Sequence, residues 1–221
     1  MRVTIRIVAG SLRGRKVVCN HSAELRPTPQ MVREAFFSIL GNAIPDRIFI
    51  DVFAGTGVVG MEALSRDAKQ ALFIERDFQL AQAIEQHLRG FGLSRQSKLY
   101  RTDAYRWIAA WQAPTEPVNV FVSPPFPDLR ERSEEFRKAV ATLQDKVAPE
   151  SVIVIQGERG SPLEDDPTMA GWEERRYGRN VLLLWQKEDR SQETGDRSQE
   201  KEEGSQGSGV GSQEMGSGNQ V

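Results

Sequence analysis

The sequence predicts an α/β protein with a mostly parallel β-sheet and helices on both faces of that sheet. Two observations support this fold. From Arg47 onward, runs of apolar and β-branched residues alternate with segments of helical spacing, which is the pattern of repeated strand–helix units. A glycine-rich turn, DVFAGTGVVG (51–60), follows one predicted strand and opens the next predicted helix.

Residues 1–27 are predicted to form a basic amino-terminal arm with the character of a β-hairpin. Alternating apolar and polar residues indicate a strand near Val3–Val8, and a second short strand is expected near Val17, after the turn AGSLRGRK. Such an arm is equally consistent with a solvated surface and with contact to a polyanion such as nucleic acid. Apart from Glu24, the charged residues among the first 33 are all basic: Arg2, Arg6, Arg13, Arg15, Lys16, Arg26 and Arg33.

Residues 28–188 are predicted to form the sheet domain. Thr28 and Pro29 suit the cap and first turn of a helix, and Gly41 suits its end. Because ligands of parallel sheets lie beyond the carboxyl ends of the strands, motifs at those ends are candidates for a site. The expected strands are IFIDV, ALFIE, KLYRTD, VNVFV, SVIVIQ and NVLLLW, and helices are expected over residues 58–65, 77–89, 104–111 and 131–146.

Residues 189–221 are predicted to be a disordered tail, because they are polar, repetitive and without aromatic side chains. From residue 188 onward the chain holds eight acids and three bases. Of the total of 31 acids and 29 bases, 23 acids and 26 bases therefore remain for residues 1–187. The part of the chain that is expected to fold is slightly basic, although the whole chain carries a net charge of -2.

Composition narrows the setting of the protein. Cys19 is the only cysteine, which excludes an internal disulfide and points to a reducing cytoplasm. Cys19 and His21 are too few ligands for a zinc site, since the only other histidine is His87, and no metal is expected. No apolar run approaches the roughly 18 residues that a membrane span needs. We expect a cytoplasmic monomer without membrane contact.

The glycine turn predicts a nucleotide-type cosubstrate. Gly55, Gly57 and Gly60 fit the pattern G-x-G-x-x-G between a predicted strand and a predicted helix. Glu75 ends the next predicted strand, where its carboxylate could accept hydrogen bonds from ribose hydroxyls. These features alone fit NAD as well as they fit S-adenosylmethionine, so an NAD-dependent oxidoreductase is one candidate function.

Two acids favour S-adenosylmethionine over NAD. Asp51, at the end of the strand before the turn, could anchor the ammonium group of a methionine moiety directly or through water, whereas it would repel a pyrophosphate. Asp103 follows the third predicted strand and could accept from an adenine amino group, while Ala104 leaves room for the ring.

The segment Ser123-Pro124-Pro125-Phe126 follows the strand VNVFV and resembles the [DNS]-P-P-[YFW] motif of methyltransferases that act on exocyclic amino groups of bases. Such an amine is a poor nucleophile, because its lone pair is delocalised into the ring. The resemblance implies that the Ser123 side chain and a backbone carbonyl of the Pro-Pro unit accept the two amine hydrogens and turn the lone pair toward the methyl donor. Phe126 would stack on the extruded base.

Longer segments carry a wider resemblance that runs from about Arg6 to Glu188. They are IRIVAGSLRGRKV, LRPTPQMVREAFFSIL, DVFAGTGVVGMEALSRDA, LFIERD and YGRNVLLLWQKE. Together they resemble one family, RsmD, the bacterial guanine-N2 methyltransferases of small-subunit ribosomal RNA. The resemblance implies a class I, Rossmann-like methyltransferase fold with a seven-stranded sheet, S-adenosylmethionine as methyl donor, and ribosomal RNA or the assembling small subunit as partner.

The same resemblance assigns residues to two surfaces. Those expected around S-adenosylmethionine are Asp51, Phe53, Gly55, Gly57, Glu75, Asp103 and Ala104. Those expected to meet RNA are Arg13, Arg15, Lys16, Arg26 and Arg33.

Ser123 departs from the Asp or Asn that is usual in the family. A hydroxyl can accept a hydrogen bond, but it is shorter and uncharged, so it polarises an amine less. Three interpretations stay open: an active guanine-N2 enzyme with a weaker acceptor, an enzyme with a different target base, and a catalytically weak homologue that binds S-adenosylmethionine and RNA.

Overall fold

The structure, a computed structural model, describes residues 2–20 and 26–189. His21 and the predicted tail from residue 190 onward lie outside the described residues. The strands are β1 (Arg2–Arg6), β2 (Lys16–Asn20), β3 (Ile48–Val52), β4 (Gln70–Ile74), β5 (Ser97–Tyr100), β6 (Val118–Val122), β7 (Val152–Glu158), β8 (Glu173–Tyr177) and β9 (Asn180–Gln186). The α-helices are α1 (Gln30–Leu40), α2 (Val58–Ser65), α3 (Phe78–Gly90), α4 (Ala104–Ala110), α5 (Asp128–Glu131) and α6 (Ser133–Lys146).

Seven strands form one sheet in the order β5-β4-β3-β6-β7-β9-β8. β3 pairs in parallel with β4 and β6, and the pairs β4–β5 and β6–β7 are parallel as well. β9 is antiparallel to both of its neighbours, so it alone reverses direction in this sheet. The predicted seven-stranded, mostly parallel α/β fold is therefore confirmed. The chain order switches direction between β3 and β6, which is where such sheets open a crevice for ligands.

Apolar layers cover both faces of the sheet. α1, α2 and α3 contribute to the first layer, in which the rings of Phe36, Phe49 and Phe73 are buried. α4 and α6 contribute to the second layer, in which Ile50 and Trp107 are buried. Burial on both faces explains why the central strands are nearly continuous apolar runs rather than alternating ones.

The amino-terminal hairpin of β1 and β2 packs against the ends of two helices. Residues 9–12 lie against the last turn of α2. The backbone N–H of Ser11 donates to the Ser65 carbonyl at 2.8 Å, and the Ser65 hydroxyl donates to the Ala9 carbonyl at 2.6 Å. A Cβ at Gly10 would lie 1.6 Å from that Ser65 carbonyl oxygen, so only glycine allows this approach. On α3, the His87 ring lies within hydrogen-bond distance of the Val18 backbone. The hairpin is thus part of the domain surface.

Arg33, in α1, joins the hairpin to the sheet domain. The residue is 1% exposed, and all three of its side-chain nitrogens are hydrogen-bonded. Nε donates to the Glu62 carboxylate at 3.1 Å, and the two terminal nitrogens donate to the carbonyl oxygens of Thr28 and Arg6. Glu62 also pairs with Arg66 at 3.0 Å, so the buried charges compensate one another.

The helix expected near residues 131–146 is confirmed as α6, and the short helix α5 precedes it. Two other local expectations were wrong. Thr28 does not cap α1: Pro29 occupies the cap position, and the Thr28 hydroxyl donates to the Gln156 side chain at 2.7 Å. β8 was not among the expected strands, because its sequence EERRY carries four charges and lies exposed at the sheet edge. Across residues 2–20 and 26–189, no helix is long and apolar enough to span a bilayer.

Candidate functional site

A cavity of about 570 Å³ lies beyond the carboxyl ends of the parallel strands. Its wall contains residues that follow β3, β4, β5 and β6, together with the segment that leads into α1. Within the described part of the chain, no group of three or more His, Cys, Asp or Glu side chains could hold a metal ion. The lining residues that the sequence singled out are Arg26, Phe53, Gly55, Glu75, Ala104, Ser123, Pro124, Pro125 and Phe126.

The glycine turn owes its shape to positive φ angles and close packing. Gly55 and Gly57 have φ of 55° and 71°, and Gly57 leads directly into α2. A Cβ at Gly57 would lie 2.8 Å from Ile84, and a Cβ at Gly60 would lie 2.4 Å from the Phe73 ring. Phe53 also has a positive φ, 61°, which is unfavourable for an aromatic residue and turns the chain into the cavity wall.

Asp51 lies beneath the glycine turn rather than in the cavity wall. Its side chain is 1% exposed, and its Oδ2 accepts from the backbone N–H of Gly60 at 2.9 Å. Burial raises the pKa of Asp51 to about 8, although the Gly60 hydrogen bond opposes this shift. Asp51 therefore fixes the turn from beneath.

Glu75 fixes the other side of the turn and does line the cavity. Its two oxygens accept from the backbone N–H groups of Gly55 at 2.7 Å and of Asp77 at 2.8 Å. Burial raises the pKa of this carboxyl, and the backbone hydrogen bonds partly offset the effect. A half-satisfied carboxylate at the end of β4 can still accept from a ligand hydroxyl.

Asp103 shapes the turn after β5 without lining the cavity. Its Oδ1 caps α4 by accepting from the N–H groups of Tyr105 and Arg106, and its Oδ2 accepts from Arg132 at 3.0 Å. Partial burial would raise the pKa of Asp103, but the Arg132 hydrogen bond and the capping bonds outweigh it, and the net pKa is lowered. The neighbouring Thr102 and Ala104 form this part of the wall.

The Ser-Pro-Pro-Phe segment forms the opposite wall. The N–H of Ser123 donates to the Val52 carbonyl at 3.2 Å, which holds the start of the segment beside the end of β3. The Pro125 carbonyl accepts from the N–H of Asp128 at 2.9 Å and is therefore engaged. The Pro124 carbonyl accepts no hydrogen bond from the described residues. Pro124 lines the cavity, and its carbonyl is the candidate for a backbone acceptor in this segment.

A polar cluster that the sequence did not reveal lies beside Ser123. Gln156, at the end of the apolar run of β7, is 7% exposed and lines the cavity. Its Oε1 accepts from the hydroxyls of Thr28 at 2.7 Å and Ser123 at 3.4 Å, and its Nε2 donates to Asn180 Oδ1 at 3.0 Å. The available signal was a glutamine within SVIVIQ, where the pattern would otherwise place an apolar side chain.

The residues expected to meet RNA fall into separate places. Arg26 lies at the cavity mouth, 3.0 Å from Glu158 and 5.8 Å from the Phe126 ring centroid. Arg13, Arg15 and Lys16 are exposed on the hairpin turn, where Arg15 donates to the carbonyl of Gly90 at the end of α3. Since α3 starts near the cavity and ends at the opposite edge of the sheet, this turn is remote from the cavity.

The prediction that Arg33 contacts RNA was wrong. A residue that is 1% exposed, with all three side-chain nitrogens hydrogen-bonded, offers no surface to RNA. Its sequence position in a basic segment suggested a surface charge, but the structure gives it the joining role described above.

Comparison with known proteins identifies the family. The family model described as "Conserved hypothetical protein 95" matches residues 5–186. The chain is 33% identical over 193 residues to "Ribosomal RNA small subunit methyltransferase D" of Escherichia coli K12, covering 85% of this chain and 92% of that protein. It is also 33% identical over 188 residues to the YlbH protein of Bacillus subtilis, covering 83% and 99%. The solved structure of Escherichia coli yhhF superposes with a TM-score of 0.70 at 31% identity, covering 85% and 100%.

These matches span nearly all of the sheet domain and both walls of the cavity. The chain therefore belongs to the Conserved hypothetical protein 95 family, which is the RsmD family.

Proposed function

We propose that this protein is an S-adenosylmethionine-dependent methyltransferase that methylates the exocyclic N2 amino group of a guanine in small-subunit ribosomal RNA. Its family and the name of its Escherichia coli relative support methyl transfer to ribosomal RNA. One observation carries the proposal further: the glycine turn, Glu75 and the Ser-Pro-Pro-Phe segment border a single cavity. A methyl donor and an amine acceptor can therefore meet there.

The walls of the cavity suit the two halves of the reaction. On the β3–β5 side, Glu75 would accept from the ribose hydroxyls of S-adenosylmethionine, and Ala104 with Thr102 would flank its adenine. The ammonium group would lie above the glycine turn, where the buried Asp51 stabilises a positive charge. When bound, S-adenosylmethionine supplies an electrophilic methyl group on a sulfonium.

On the β6 side, the protein would bind and orient the base. The Ser123 hydroxyl and the Pro124 carbonyl would accept hydrogen bonds from the two N–H groups of the guanine amine. Phe126 would stack on the guanine ring. The oriented lone pair then forms the N–C bond as the C–S bond breaks, the sulfur keeps that electron pair as a neutral thioether, and the nitrogen releases a proton to water. Most of the acceleration comes from positioning, because no covalent intermediate with the protein is needed.

The test is single-turnover methyl transfer to small-subunit ribosomal RNA, with the methylated nucleoside identified. We expect N2-methylguanosine from the parent. Ser123→Ala removes one acceptor and should slow transfer by roughly ten- to a hundredfold without weakening S-adenosylmethionine binding. Ser123→Asp should match or exceed the parent. Ser94→Ala, the same truncation at an exposed turn far from the cavity, serves as the control.

Three results would contradict the proposal in different ways. A methylated base other than guanine would mean that the target has changed. A Ser123→Ala enzyme as fast as the parent would remove Ser123 from the mechanism. A silent parent beside an active Ser123→Asp variant would mean that the chain binds its ligands but has lost efficient chemistry.

A further inference from the structure

We infer that Gln156 is a positioning residue for the reaction. Its amide oxygen accepts the hydrogen bond that the Ser123 hydroxyl donates, so that the lone pairs of the Ser123 oxygen face the base amine. The inference rests on the proposed function. In this role Gln156 acts through the Ser123 hydroxyl, to which it is hydrogen-bonded, and does not itself contact the base amine or the methyl donor.

The orientation of the Gln156 amide follows from its neighbours. Its Nε2 donates to Asn180 Oδ1 at 3.0 Å, and this turns its Oε1 toward the opposite side. There, Oε1 accepts from the Thr28 hydroxyl at 2.7 Å and from the Ser123 hydroxyl at 3.4 Å. Because Gln156 is 7% exposed and Thr28 is 8% exposed, water competes little for the bond between them, whereas Ser123 is partly exposed at the cavity wall. The amide oxygen is therefore a fixed acceptor beside Ser123.

A serine in this position needs such an acceptor. A carboxylate or amide oxygen can only accept, so Asp or Asn presents lone pairs to an amine without further help. A hydroxyl carries one hydrogen as well as two lone pairs, and an unrestrained hydroxyl can turn its hydrogen toward the cavity. With its hydrogen held by Gln156, the Ser123 oxygen acts as an acceptor toward the base.

The same cluster connects the reacting side chain to the amino-terminal segment. Thr28 lies two residues after Arg26, and both Arg26 and the prolines at 27 and 29 line the cavity. The Thr28 hydroxyl donates a hydrogen bond to Gln156 and does not cap α1. The cap position of α1 is occupied by Pro29, so the Thr28 hydroxyl is available for this bond.

The test compares variants of Gln156 in two backgrounds. Gln156→Met keeps the length of the side chain but removes its acceptor, and we expect single-turnover transfer to small-subunit ribosomal RNA to slow by roughly tenfold. Gln156→Glu keeps an acceptor and should recover most of the rate. Affinity for S-adenosylmethionine should be unchanged in both. Gln186→Met, the same change at the exposed far end of β9, is the matched control.

The second background separates positioning from a structural role. In the Ser123→Asp enzyme the acceptor is a carboxylate, which carries no hydrogen that a neighbour must bind. Adding Gln156→Met to that enzyme should therefore change the rate by less than about threefold. An equal loss in both backgrounds, or weaker S-adenosylmethionine binding, would show that Gln156 only supports the fold and would overturn the inference. A Gln156→Met enzyme as fast as the parent would overturn it as well. If neither the parent nor Ser123→Asp transfers a methyl group, the proposed function itself fails.

Discussion

The two edges of the sheet differ in the setting of their charged residues. At the carboxyl edge, Asp51 and Glu75 are buried beside the cavity, and burial raises the pKa of both. At the amino edge, the hairpin turn presents Arg13, Arg15 and Lys16 to solvent. The thirteen residues of α3 separate the edges, which corresponds to about 20 Å. We therefore expect pH to act mainly on one edge and salt mainly on the other.

The direction of the chain explains this division. At the carboxyl edge the strands give way to turns and helix starts, whose free N–H groups bond to acids: Gly60 to Asp51, and Gly55 to Glu75. At the amino edge the helices end, and their free carbonyl groups favour cations. Arg15 uses one of them, the Gly90 carbonyl, at 3.1 Å.

The largest effect is expected from breaking the link between the hairpin and the sheet domain. Arg33→Met leaves Glu62 buried with only one of its two arginines, and it removes two bonds to backbone carbonyls. We expect the free energy of unfolding to fall by about 3–5 kcal/mol, as measured by urea titration. Arg47→Met breaks an exposed pair with Glu150 and should cost no more than about 1 kcal/mol. Equal losses would mean that burial of the Arg33 pair is irrelevant.

A smaller effect is expected from the amino edge. Changing Arg13, Arg15 and Lys16 together to Ala should weaken binding of long ribosomal RNA by roughly ten- to a hundredfold at low salt. The slope of log affinity against log salt should flatten by about 2. Affinity for S-adenosylmethionine should stay the same, and Lys138→Ala on α6 controls for a general loss of charge.

The length of the RNA sharpens this second prediction. A short oligonucleotide that only fills the cavity should not respond to the triple change, but it should respond to Arg26→Ala at the cavity mouth. If the triple change weakens the short oligonucleotide equally, the two edges do not act as separate contacts.

The smallest effect is expected from pH at the carboxyl edge. Because the pKa of Asp51 is raised to about 8, its carboxyl is mostly protonated near pH 6, and only the ionised form attracts an ammonium group. Affinity for S-adenosylmethionine should therefore rise by up to about tenfold between pH 6 and about pH 9, where the carboxyl becomes fully ionised. Calorimetry should show that Asp51→Asn loses this rise. A parent whose affinity is flat over this range would contradict the role of Asp51.

The sequence predicted the carboxyl edge better than the amino edge, and the reason is local. A strand, a glycine turn and a helix follow one another within the segment 48–65, so their contacts lie close in sequence. The Ser-Pro-Pro-Phe wall likewise follows its strand directly. Parallel pairing then brings these separate ends together at one edge.

The missed features depend on contacts between distant residues. Thr28 meets Gln156 across 128 positions of sequence, and no local pattern predicts that bond. Arg33 was expected at the surface because basic residues usually lie there, but its partner Glu62 is 29 positions away. Among the described strands, β8 pairs with β9 alone and exposes its charges, so its sequence lacks the apolar signal of a core strand.

Cys19 gives the hairpin a built-in chemical reporter. It is the only cysteine of the chain, is 3% exposed on β2 opposite Val3, and has a raised pKa because of burial. A thiol reagent can reach it only when β2 lifts away from α3, since the reactive thiolate must first meet solvent. The rate of modification therefore measures how often the hairpin opens. Comparing the modification rate of Cys19 with and without long RNA would reveal whether nucleic acid holds the hairpin closed. The experiment needs no introduced cysteine.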